Sequence, residues 1–230
     1  SLSYSRVQDL THVMTTDFPV FPAFTPLRMR TIKTLEKDGF YANELTLVEH
    51  TGTHLDAPAH FTKGMTADQI PVERFIAPLA VIPIETRVRR DEDTGLSVDD
   101  ILAWEKKYGR LPVGAVVAMH TGWESRLTQP GKFSNADKGG TLHFPGFTGE
   151  AAKFLVAERD ISGIAVDTLS LDIGAGSAPV SHLAILGAGK YGLENVANLA
   201  LVPPSGATII VGAPKHQGAS GGPSRVMALV

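Results

Sequence analysis

Apolar residues along this chain gather into short runs separated by turn-forming positions. Leu79 to Ile84, Ala115 to Met119, Ile161 to Val166 and Ala207 to Val211 are apolar and rich in β-branched residues. Runs of this length without alternation predict strands buried on both faces. Asn43 to Val48 alternates loosely and predicts a further strand. Two helices are signalled by their ends. Ser97-Val98-Asp99-Asp100 has the form of a capping box and opens a segment that stops at Tyr108, before Gly109. Thr148 is placed to cap a helix reaching Glu158, with Ala151, Ala152, Leu155 and Val156 on one face. Gln129 to Phe147, rich in glycine, proline and polar residues, reads as a long loop, either a lid or a surface insertion. Turn signals recur at short intervals and no repeat is present, so the pattern predicts one mixed α/β domain over residues 1–230 with a central sheet.

Composition narrows the function. The 230 residues carry 21 basic and 24 acidic side chains, a formal net charge of -3, which offers no basic surface for nucleic acid or anionic membrane. A small, weakly charged substrate is expected. There is no cysteine, so any metal must be held by His, Asp and Glu. No stretch has the length of a membrane span, and the first thirty residues lack a signal-like apolar segment. A cytoplasmic location is expected, with a removed leader left open because the chain begins at Ser1.

The chemistry concentrates in HTGTHLDAPAHF, residues 50–61. His50, His54, Asp56 and His60 are all separated by even intervals, and alternate side chains of an extended chain share a face. His50, His54 and Asp56 are therefore expected to converge from a strand running into a turn. A helix would rotate Asp56 away from His54, and Gly52 and Pro58 oppose one. Two imidazoles and a carboxylate suit Zn, Mn or Fe and leave coordination positions open, as a catalytic site requires. Pro58 stiffens the chain before His60, which places that histidine near the metal as a general base.

These residues resemble the cyclase-type metal-dependent hydrolases, the family that includes bacterial kynurenine formamidase and isatin hydrolase. The motif HxGTHxDxPxHF is met in full by His50, Gly52, Thr53, His54, Asp56, Pro58, His60 and Phe61. The segments DLTHVMTTDFP, GFYANELTLVEHTGTH, HFPGF, GIAVDTLSLD and GAPKHQGASGGPSR extend the likeness across nearly the whole chain, and their flanks resemble the isatin-hydrolase branch more than the formamidase branch. The resemblance implies that His50, His54 and Asp56 bind metal and that His60 is the acid/base. It also implies that a distant His with a Glu twelve residues later, here His182 and Glu194, completes a second metal site. In the isatin-hydrolase branch that distal position is Gln with one Mn ion, so Glu194 departs from it and leaves one or two Mn or Zn ions open, with Asp56 as the bridge. A swivelling β/α/β fold is implied, together with a homodimer or homotetramer in which Phe18 to Phe24 serves a neighbour's pocket.

The implied activity is hydrolysis of an aryl amide or lactam, by lactam opening as in isatin hydrolase or, alternatively, by deformylation of N-formylkynurenine. A non-catalytic metal-binding module is the competing class, and it would not require His60. Phe21, Phe24, Trp123, His143, Phe144 and Phe147 are candidates to line an aromatic substrate pocket. Asp167 and Asp172 stand either as acceptors behind metal-bound imidazoles or as turn caps, and Arg225 as a substrate contact or an ion-pair partner. His12, His120 and His216 lack ligand spacing. Two further patterns are decoys. Gly187 to Gly192 fits GxGxxG, but no acidic residue follows Glu194, and the glycines are better explained as a turn that folds His182 and Glu194 together. Gly218 to Gly222 fits the GxSxG elbow, but no Asp or His follows Ser220.

Overall fold

The computed structural model describes residues 3–230 and places the predicted apolar runs at the middle of a nine-stranded sheet. Ile76–Pro83, Ala115–His120, Ile161–Val166 and Tyr191–Glu194 pair in parallel in that order. Ala207–Gly212, Arg225–Leu229 and Val7–Asp9 extend one side antiparallel, and His54–Asp56 and Gly221–Pro223 extend the other. Gly221–Pro223 is one edge of the sheet and Arg225–Leu229 lies next to the other, yet only Ser224 separates them in the chain. A flat sheet would hold these strands roughly 34 Å apart. The sheet must therefore curl into a half barrel, and the Ser224 amide fastens the join by donating to the Thr53 carbonyl at 2.9 Å.

Curling gives each face its own core, which is why the central strands are continuously apolar. Val116, Ala118, Leu79, Val81, Ile209, Leu193 and Leu55 fill the concave side. Val117, Met119, Ile82, Ile164 and Val166 pack outward against helices Val98–Tyr108, Gly149–Glu158 and Val180–Gly187. The helix signals are realised as expected. The Ser97 hydroxyl accepts from the Asp100 amide in a capping box, and the Thr148 hydroxyl accepts from the Ala151 amide at 3.1 Å. Thr148→Ala should lower the free energy of unfolding by about 1 kcal/mol. The check is urea denaturation, with a reduced midpoint and unchanged slope expected.

Two readings are revised. The alternating segment near residues 43–48 forms Ala42–Thr46, which pairs only with Arg28–Lys33 in a hairpin outside the main sheet, so its pattern records no buried face. The loop of residues 129–147 is pinned to the core, because Phe133, Phe144 and Phe147 are buried and the Trp123 indole N–H donates to the Phe133 carbonyl at 2.8 Å. Among the described residues no helix is long and apolar enough to cross a membrane.

Candidate metal centre and substrate cavity

Three chain segments meet at the site. The strand His54–Asp56 is flanked by Tyr191–Glu194 and Gly221–Pro223, and Glu194 stands directly opposite His54 in the ladder. Opposed residues project to one face, so a register pairing joins two side chains 140 positions apart in sequence. The third segment is the first turn of helix Val180–Gly187, which carries His182. The Gly187–Gly192 motif is the return from that helix to the next strand, with Gly189 at φ +71°. It runs helix, turn, strand, the reverse of a dinucleotide fingerprint.

His50 reaches the site by a different route from the one expected. The strand begins only at His54, and Gly52 at φ +67° turns the chain between the two histidines. Strand parity therefore holds for His54 and Asp56, while the turn brings His50 Nδ1 to 2.6 Å from Asp56 Oδ1. His54 Nε2 lies 3.3 Å from both Asp56 Oδ1 and Glu194 Oε2. His182 Nε2 lies 3.3 Å from Asp56 Oδ2 and 3.1 Å from Glu194 Oε1. His60 follows from the short 3₁₀ turn Pro58–His60 and stacks on His50 with ring centroids 3.7 Å apart.

This donor set fits a divalent cation on evidence internal to the protein. Each of three imidazoles gives its outer nitrogen to a protein partner: His54 Nδ1 to the Gly52 carbonyl at 2.9 Å, His182 Nδ1 to Asp172 Oδ2 at 2.6 Å, and His50 Nε2 to the Ser220 hydroxyl at 3.0 Å. The opposite nitrogens converge on Asp56 and Glu194. Buried His54 Nε2 and Asp56 Oδ2 find no hydrogen-bond partner among the described residues. Such orphaned, inward-facing donor atoms behind fixed outer nitrogens are the arrangement of a metal site. His50, Asp56 and His60 form one compact ligand group and His54, Asp56 and Glu194 another, sharing Asp56.

The electrostatics favour positive charge at the same point. Burial opposes a charged His54, but the Asp56 and Glu194 carboxylates outweigh it and raise its pKa to about 10. Burial likewise opposes ionisation of Asp56, yet His54, His182 and His50 hold its pKa well below the ordinary carboxylate range. Glu194 is lowered too, against burial and the like charge of Asp56, by His182 and His54. His60 differs. Burial, with His50 and His182 adding to it against the pull of Asp56, lowers its pKa to about 4, and it makes no side-chain hydrogen bond among the described residues. A neutral, unengaged imidazole beside a cation-binding cluster is equipped to accept a proton.

The cluster forms the floor of a cavity of about 370 Å³ walled by Phe21, Phe24, Phe61, Phe144, Leu169 and Ile173, with Ser170, Ser177 and Asn195 as polar points. Its walls are mostly apolar, as small-molecule sites are. Phe21 and Phe24 enter the cavity of their own chain, with Phe24 stacked on His50 at 5.9 Å. Trp123 and His143 do not line it. Trp123 is core, its ring under the Arg126 guanidinium at 3.8 Å, and Phe147 is core as well. His143 is bound to Asp93 at 2.8 Å in a separate surface pocket. Of the two aspartates, Asp172 orients His182, whereas Asp167 caps the Thr121–Gly122 turn. Arg225 forms an exposed ion pair with Asp9. Glu49 and Ser220 also border the site. The glycines around Ser220 mark a turn there, but nothing local signals its pairing with Glu49, because the two meet across 171 positions.

Similarity to known proteins extends over most of the chain. The family model described as "Putative cyclase" matches residues 8–173. Isatin hydrolase of Roseibium aggregatum is 35% identical over 92% of this chain and 84% of its own. Isatin hydrolase A from Labrenzia aggregata, solved with benzyl benzoate, superposes with a TM-score of 0.93 at 36% identity, covering 98% of this chain and 93% of that one. An isatin hydrolase solved with the product analogue thioisatinate gives 0.92 at 31% identity, over 97% and 92%. Kynurenine formamidase of Bordetella pertussis is 37% identical, but over only 34% of this chain and 38% of its own.

Proposed function

We propose, on the premise that the chain belongs to the cyclase family and is an isatin-hydrolase-like hydrolase within it, that its reaction is the opening of the lactam of an isatin-type aromatic substrate. One observation carries the reading: donor atoms of three imidazoles and two carboxylates converge on the floor of an apolar, phenylalanine-walled cavity. The longer match to isatin hydrolase than to kynurenine formamidase favours a ring amide over a formamide.

In this reading His54, Asp56, Glu194 and His182 hold one divalent Mn or Zn ion, and His50 and Asp56 border a second position. Such a cation supplies Lewis acidity, polarising a carbonyl and acidifying water. The protein's own groups do the rest. Phe24 and Phe144 flank the flat ring, and the apolar walls keep bulk water from the reacting carbonyl. An imidazole nitrogen of His60 accepts a proton from the attacking water as the C–O bond forms. It returns that proton to the ring nitrogen as the C–N bond breaks, so no charge is left on the leaving amine. The sharing of Asp56 between two ligand groups supports a two-ion centre, to which the Glu194 carboxylate adds compensating charge.

The same reading takes residues 1–230 as one swivelling β/α/β domain and the protein as a homodimer or homotetramer. Met29, Ile32, Phe40, Tyr41 and Leu45, exposed on and beside the hairpin, support self-association. Purified protein should hydrolyse isatin faster than N-formylkynurenine or simple cyclic imides. Chelation should abolish turnover, and Mn²⁺ or Zn²⁺ should restore it. Faster deformylation than ring opening would replace the lactam reading, and full activity after exhaustive chelation would refute the metal mechanism.

A further inference from the structure

We infer that Ser220 and Glu49 are positioning residues that select which nitrogen of His50 faces the metal cluster, an inference that rests on the metal-centre reading above. The direction of each hydrogen bond decides it. The Ser220 amide and hydroxyl both donate to Glu49 Oε2, at 2.9 and 2.5 Å. A hydroxyl has one proton, and here the carboxylate takes it, so Ser220 Oγ receives the hydrogen bond from His50 Nε2 at 3.0 Å. Nε2 therefore carries the ring proton. Nδ1, 2.6 Å from Asp56 Oδ1 and inside the ligand group of His50, Asp56 and His60, is then the nitrogen left to the cluster: the proton it shares with that carboxylate is the one a cation would displace, while the Nε2 proton stays with Ser220.

The stacking partners cannot make this choice. Phe24 on one side at 22° and His60 at 26° hold the plane of the His50 ring. A ring flipped by half a turn within that plane stacks equally well but exchanges the nitrogen and carbon positions. The hydrogen bond to Ser220 selects one edge. Its position is rigid, because the Ser220 carbonyl accepts from the Ala57 amide at 2.9 Å and Gly221 pairs with Asp56. A Cβ at Gly221 would lie 2.2 Å from the Leu55 carbonyl oxygen and 2.8 Å from His50 Cε1, so glycine is what lets this turn press against the ring. The Ser220–His50–Asp56 line has the spacing of a nucleophilic triad, but a serine whose proton is directed to Glu49 and which accepts from the imidazole is not being deprotonated by it.

The test titrates Zn²⁺ into chelator-stripped protein and reads His50 by histidine ¹⁵N NMR of the zinc-loaded form. Ser220→Ala should weaken zinc binding by about 10- to 100-fold. It should also replace the single Nε2-protonated His50 signal with a mixture, while the melting temperature of the stripped protein stays within a few degrees of wild type. Glu49→Ala should do the same by a different route, because the freed hydroxyl can donate to Nε2 and favour the wrong tautomer. It also supplies the same readouts if Ser220→Ala does not fold. Unchanged zinc affinity with an unchanged His50 tautomer in these variants overturns the inference while leaving the metal centre intact. Wild-type protein that takes up no zinc refutes the metal-centre reading itself. Labelling of Ser220 by a fluorophosphonate would make it a nucleophile and overturn the positioning role.

Discussion

Asp56→Asn should cost the protein both its metal and its activity. The Asp56 side chain is fully buried, with His50, His54 and His182 within 3.3 Å of its oxygens, and it belongs to both compact ligand groups. Asparagine keeps the shape but replaces one anionic oxygen with an NH₂ donor, which would point at nitrogens whose lone pairs should face a cation. Removing one partner of a buried charge cluster typically costs about 3–5 kcal/mol, because the others remain desolvated. That corresponds to metal affinity weakened on the order of 10³-fold, with turnover at ordinary metal concentrations falling with it. Metal analysis of the purified variant, paired with circular dichroism to show the fold intact, measures this. A variant that retains stoichiometric metal and near wild-type turnover would remove Asp56 from the centre.

The centrality of Asp56 was visible in the sequence, because the even spacing from His54 survives in the strand they share. The same rule failed for His50, since strand periodicity cannot cross the left-handed Gly52. Buried parallel strands were legible because both faces are covered, leaving unbroken apolar runs. Three-residue strands such as Val7–Asp9 and Gly221–Pro223 were not, since their identity lies in their partners. The pairing of Glu194 with His54 and the meeting of Ser220 with Glu49 follow from which strands lie side by side and in what register, and have no local signature. Aromatic residues sorted least well. Phe24 and Trp123 are alike in composition, but one walls the cavity and the other is core whose indole N–H is spent on Phe133.

Replacing His60 asks whether the cluster is an enzyme or only a metal-binding module. His60 faces the cavity, makes no side-chain hydrogen bond among the described residues, and has its pKa lowered to about 4 by burial, with His50 and His182 acting against Asp56. It is thus deprotonated at neutral pH, the form that can accept a proton, while the same lowering makes it a weaker base than a free imidazole. If it is the acid/base, His60→Ala should keep its metal and substrate affinity while kcat falls by about 10²- to 10⁴-fold, the usual contribution of a positioned proton-transfer group. Added imidazole should recover part of the loss by entering the space vacated beside His50. Loss of metal together with activity would instead make His60 a ligand of the His50–Asp56 group, a role its proximity permits. Undiminished turnover would show that the proton travels by another group. The first result separates His60 from Asp56 chemically: one removes the proton carrier, the other the charge that holds the cation, and only a site that needs both is catalytic.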